Sequence, residues 1–83
     1  MMPTATVTYN SEKIQATAMA WGEKYSIDVD SLLLIHIKQI FSSQDLFVLD
    51  AKADGDLLIF KLKSNMWQND KEICLTTEGT LFW

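Results

Sequence analysis

Between Leu46 and Lys63 the sequence reads LFVLDAKADGDLLIFKLK, two apolar-rich segments joined at Asp54-Gly55. Asp-Gly between such segments is a strong short-range signal for a β-hairpin, because tight hairpin turns need the positive φ that glycine takes readily. With Asp54-Gly55 as a two-residue loop, Ala51 faces Leu58, Leu49 faces Phe60 and Phe47 faces Leu62. That face is apolar beyond the turn. The other face pairs Val48 with Lys61, Leu46 with Lys63 and Asp50 with Ile59, a mixed set suited to a sheet with one wet side. Strand side chains alternate with period two, so a slip of one residue would exchange the two faces.

A second hairpin is predicted in EICLTTEGTLFW, turning at Glu78-Gly79. Leu75 then faces Phe82 and Cys74 faces Trp83, which buries Phe82 beside Leu75 and Ile73 and leaves Leu81 and Trp83 on the opposite face. Upstream, the β-branched, alternating stretch TATVTY at Thr4 to Tyr9 predicts an N-terminal strand, with Pro3 just before it.

Residues 10–25, NSEKIQATAMAWGEKY, admit two readings. As a helix capped by Asn10 or Ser11, they place Ile14, Ala18, Trp21 and Tyr25 on one stripe and Glu12, Gln15, Met19 and Glu23 opposite. As a strand, they place Ile14, Ala16, Ala18 and Ala20 on one face. Alanine is the best helix former and a poor strand former, which favours the helix. The next segment, DVDSLLLIHIKQIFSSQ, reads as a helix capped by Asp28 or Asp30. Its stripe is Val29, Leu33, Ile37 and Ile40, with Leu34 and Phe41 beside it, while Leu32 and Ile35 point away. A competing strand reading puts Leu33, Ile35, Ile37 and Phe41 on one face.

The expected fold class is therefore α+β. A small antiparallel sheet of four to five strands carries one or two helices packed on one face, in a single domain over residues 1–83. A core this small depends on large side chains, and three Trp, two Tyr and four Phe supply them.

Chemistry-bearing residues are sparse. His36 is the lone histidine, flanked by Ile35 and Ile37, and has no second histidine or adjacent nucleophile to work with. Cys74 sits between Ile73 and Leu75, in surroundings that raise a thiol's pKa instead of activating it. One Cys and one His far apart make no zinc spacing, and Asp28-x-Asp30 and Asp54-Gly55-Asp56 do not continue into a calcium loop. The isolated glycines Gly22, Gly55 and Gly79 form no phosphate-binding loop. The reading is of a protein that is not an enzyme, with no catalytic residue, cofactor or metal.

All seven basic residues are lysines and the net charge is −4. Arginine is the usual bidentate reader of phosphate and guanine, so a nucleic-acid partner is not expected. The second helix offers LLLIHIKQIF, core-like residues unsuited to a DNA groove. No apolar run reaches the length of a membrane span, and the unpaired Cys74 suits a reducing, cytoplasmic setting.

What remains is apolar surface. Leu32 and Ile35 fall off their helix stripe, Met66 and Trp67 lie in the polar loop SNMWQND, and Trp83 falls on the wet face of its strand. Aromatic side chains and Met are enriched at interface cores. These five residues are the expected partner-binding set of a small protein-binding module that engages another protein or a copy of itself. An acidic antagonist of a nucleic-acid-handling protein, of the kind viruses and mobile elements encode, is the first alternative. A small enzyme or enzyme subunit using His36 is the second.

Overall fold

The computed structural model describes residues 6–41 and 45–83, with the side chains of Gln39 and Ile40 outside that description. The predicted Thr4 and Ala5 strand positions also lie outside the described residues. The element order is β1 (Thr6–Tyr9), α1 (Glu12–Lys24), α2 (Val29–Phe41), β2 (Asp45–Asp54), β3 (Leu57–Lys63), β4 (Lys71–Thr76) and β5 (Leu81–Phe82). The five strands form one sheet in the order β1-β2-β3-β4-β5. Strands β2 to β5 are antiparallel neighbours, whereas β1 runs parallel to β2. A parallel pair needs a long crossover, and α1 and α2 provide it.

Residues 12–24 are helical, which decides between the two readings of that segment. Ser11 caps α1 in an extended conformation, and its hydroxyl accepts a 3.2 Å bond from the Ile14 amide. Ile14, Ala18 and Trp21 are buried as the helical stripe requires. Asp28 caps α2: its carboxylate accepts from the Ser31 amide at 3.2 Å and the Ser31 hydroxyl at 2.8 Å. Those two bonds hold the Asp28 carboxyl below the usual carboxylate range.

The join between the helices is tight. Ser26 adopts φ 57, the one non-glycine with positive φ among the described residues. Backbone bonds from Ser26 to Glu23 at 3.2 Å and from Ile27 to Gly22 at 2.7 Å close the end of α1. The returning chain lies so close that a Cβ on Gly22 would sit 2.7 Å from the Ile27 carbonyl oxygen and 2.8 Å from a Val29 methyl.

The helices cover one face of the sheet. Leu46, Val48, Leu58, Phe60, Leu62, Ile73 and Leu75 are fully buried there against Trp21, Leu33 and Ile37. This corrects the expected assignment of β2, where Phe47 and Leu49 were to face inward. Leu49 is an extra residue: Val48 pairs with Leu62, Asp50 pairs with Lys61, and the pairing shifts between them. Such a bulge reverses the alternation on one side of itself. Ala51 therefore stays inward as expected, while Leu46 and Val48 replace Phe47 and Leu49 in the core.

Both hairpins form where the Asp-Gly and Glu-Gly signals place them, with shifted turns. Asp54 pairs with Leu57, so the central residues are Gly55 and Asp56. Gly55 has φ 62, and Asp56 is not among the positive-φ residues, a pattern that fits a type II′ turn with glycine first. Ala51 consequently faces Phe60 where Leu58 was expected. In the second hairpin Leu75 pairs with Leu81 and Cys74 with Phe82. The loop has three residues, Thr77 to Gly79, closed by a 2.9 Å bond from the Thr76 amide to the Thr80 carbonyl, with Gly79 at φ 85. The additional loop residue overturns the expected burial: Leu81 enters the core, and Phe82 lies on the opposite face.

Two substitutions test the helix junction. Gly22→Ala is expected to destabilise the fold by about 1–3 kcal/mol, since backbone must move to admit the methyl. Ser26→Gly is expected to stabilise it by up to about 1 kcal/mol, by relieving the left-handed conformation. Urea denaturation midpoints at constant slope measure both.

Candidate functional site

Helix α2 runs alongside β5. At one end the Leu32 methyls lie 3.5 and 3.7 Å from the position a Cβ would take on Gly79. At the other end Phe41 meets Trp83 at a ring separation of 5.4 Å and Trp67 at 5.4 Å. Phe41 thus gathers two tryptophans that stand sixteen positions apart in sequence. Lys71 adds its ammonium 5.4 Å from the Trp67 ring centre, a cation–π contact.

The loop that carries Trp67 is anchored from within. Ser64 is buried, its hydroxyl accepts from the Met66 amide at 3.2 Å, and its carbonyl accepts from the Trp67 amide at 3.1 Å. This turn sends Trp67 back onto the core edge and Met66 outward.

The five expected contact residues divide accordingly. Trp67 and Trp83 share one aromatic cluster, and Leu32 is half-buried against the β4–β5 turn. Trp83 remains 66% exposed, Met66 76% and Ile35 52%. Trp83 lies on the helix side of the sheet, not on the open face where the sequence reading put it, because Leu81 and Phe82 have exchanged places. Phe41 is the member that sequence reasoning missed, having been assigned beside the helix stripe. Phe82, assigned to the core, lies on the opposite face of the sheet and is not part of this cluster.

His36 is half-buried on α2, and no carboxylate or hydroxyl among the described residues is hydrogen-bonded to it. Cys74 is half-buried on the face of the sheet away from the helices. Burial pushes its thiol pKa up, Glu72 adds to that, and Lys52 opposes it. Among the described residues, no three His, Cys, Asp or Glu side chains gather to hold a metal ion. No helix among them is long and apolar enough to cross a membrane.

A separate cleft of about 450 Å³ opens between Tyr9, the end of α1 and the start of α2. Ala18, Met19 and Ile27 line it together with the acidic residues Glu23, Asp28 and Asp30. The Tyr9 hydroxyl donates a 2.7 Å bond to Asp30, tying β1 to α2. Burial comes first among the causes that hold the Tyr9 phenol well above its ordinary range, followed by the Asp30 bond and the charges of Asp30 and Asp28.

Fold and surface together define a two-layer α+β domain with an aromatic flank. No protein-family model, curated protein or solved structure matches the chain.

The Tyr9 environment carries a pH signature. Its folded pKa is raised, so its contribution to stability is complete below the ordinary tyrosine pKa of about 10 and is lost as pH rises from there toward the folded value. Tyr9→Phe is expected to lower stability at neutral pH and to flatten the alkaline decline that the native protein shows above about pH 10. Urea midpoints across that range measure the difference.

Proposed function

We propose that the protein is a non-catalytic protein-binding module whose contact surface is the flank formed by α2, the 64–70 loop and Trp83. One observation carries this reading: Trp83 is braced against Phe41 yet two-thirds of it faces solvent. An aromatic ring held in place by a second ring loses little conformational freedom on binding, which is how a few anchors come to supply most of an interface's affinity. Met66 and Ile35 add exposed apolar surface on the same loop and helix. Met adapts to varied partner shapes because its side chain is flexible and polarisable.

The acidic-antagonist reading draws support from the cleft beside Tyr9, where Glu23, Asp28 and Asp30 would attract a basic group. The two readings respond differently to salt. Binding through the aromatic flank persists at high ionic strength, whereas binding through the acidic cleft weakens steeply as salt screens it.

Truncating an anchor tests the proposal. With a partner captured by the native protein, Trp83→Ala is expected to weaken binding by about 30-fold while leaving the circular dichroism spectrum unchanged. Calorimetric titration at low and high salt gives the measurement. An affinity unaffected by Trp83→Ala and by Met66→Ala removes the flank as the binding surface.

A further inference from the structure

We infer that the outer edge of β1, with the two clefts beside it, is a docking groove for an extended segment of another protein that carries a lysine or arginine side chain. β1 stands first in the sheet order, so among the described residues only β2 pairs with it. Alternate residues of Thr6–Tyr9 turn their N–H and C=O groups to the outer side, where an added strand can bond to them. Folded proteins commonly blunt such an edge with charge, proline, a bulge or brevity. The opposite edge is brief, since β5 spans two residues. β1 uses none of these devices. Its four residues are uncharged, favour strands, and pair with β2 without a break in register.

All four residues of β1 line a cleft of about 520 Å³, with Leu34 and Gln15 of the helices across from them. Val7 and Leu34 are half-buried there. A sixth strand beside β1 lays alternate side chains over these two and completes the cover that the edge position leaves open. Tyr9 and Asp30 line this cleft and also the cleft between α1 and α2, so the two adjoin at the Tyr9–Asp30 hydrogen bond.

The second cleft selects the side chain. Ala18, Met19 and Ile27 supply its apolar lining, and Glu23, Asp28 and Asp30 its charges. Among the described residues, no lysine lines either cleft, so the charge there has one sign. A lysine or arginine suits this lining: its aliphatic stem covers apolar surface while its head meets carboxylates. Asp30 Oδ1 accepts from Tyr9, which leaves Oδ2 for such a head. A second copy pairing through its own β1 brings only threonine, valine and tyrosine, and no cation. The groove is separate from the aromatic flank and does not depend on it.

The test uses the full chain and a capped peptide of about eight residues, alternating threonine and valine with one terminal arginine. At about 3.3 Å per residue it reaches along β1 and into the second cleft. Titration followed by NMR is expected to show slowed amide hydrogen exchange within Thr6–Tyr9. Exchanging the peptide's arginine for glutamate is expected to weaken binding by about tenfold or more, and Glu23→Gln, at an exposed position of α1, by about threefold. Methylating every backbone nitrogen of the peptide keeps its side chains, removes its N–H donors, and is expected to abolish binding. Trp83→Ala is expected to change none of this. Absence of binding at millimolar peptide overturns the inference, as does equal affinity for the methylated or the glutamate peptide. So does an affinity lost with Trp83→Ala, which assigns the peptide to the flank. Protection of the β1 amides that rises with protein concentration alone assigns the edge to a second copy and overturns it too.

Discussion

The structure depends on burying one face of β3. Leu58, Phe60 and Leu62 are fully enclosed, between β2 and β4 in the sheet and beneath Trp21, Leu33 and Ile37 of the helices. A domain of this size has no second core to fall back on. Neighbouring strands must therefore take whatever register lays their own apolar residues beside this row, and local turn preferences yield to that demand. The bulge at Leu49 and the three-residue loop at Thr77 to Gly79 are the adjustments that result. Each inserts one residue, and each sends a different aliphatic set inward: Leu46 and Val48 in β2, Leu81 in β5.

The same adjustments create the surface. Every large side chain displaced from the core by a one-residue insertion must point outward, and so Phe47, Leu49 and Phe82 occupy the uncovered face of the sheet. Trp83, next after Phe82, returns to the helix side and finds Phe41. Two apolar surfaces arise in this way from one constraint. One is an aromatic edge at the flank of α2. The other is a mixed face on which Lys52, Lys61 and Lys63 stand among apolar residues and the carboxylates of Asp50 and Glu72.

The helical layer is held at its ends as well as by its stripe. Tyr25 donates a 3.0 Å bond to the Gly55 carbonyl, linking the end of α1 to the tip of the first hairpin. Tyr9 joins β1 to the start of α2 through Asp30. These polar ties span 30 and 21 positions of sequence and fix the helices over the sheet without entering the core. Trp21 is the exception in polar satisfaction: its Nε1 is buried without a hydrogen-bond acceptor among the described residues. Its ring lies 5.2 Å from that of Tyr25, so the tryptophan's contribution is apolar and aromatic packing.

The sequence alone determined the α+β class, the apolar stripes of the two helical segments and the positions of the two hairpins. It narrowed the caps to Asn10 or Ser11 and to Asp28 or Asp30, and favoured a helix over a strand for residues 10–25. Those features follow from local physics: helical periodicity, side-chain acceptors next to free amides, and glycine's tolerance of positive φ. It also marked Leu32, Ile35, Met66, Trp67 and Trp83 as apolar residues left for the surface; Ile35, Met66 and Trp83 are exposed, whereas Leu32 and Trp67 are half-buried. Tertiary structure decided the parallel pairing of β1, which face of β2 and β5 is buried, and the meeting of Trp67 and Trp83 on Phe41. An apolar run such as LFVL or LFW can satisfy either alternation by itself. Only the row already buried on β3 gives one choice the lower free energy, and a single inserted residue is enough to implement it.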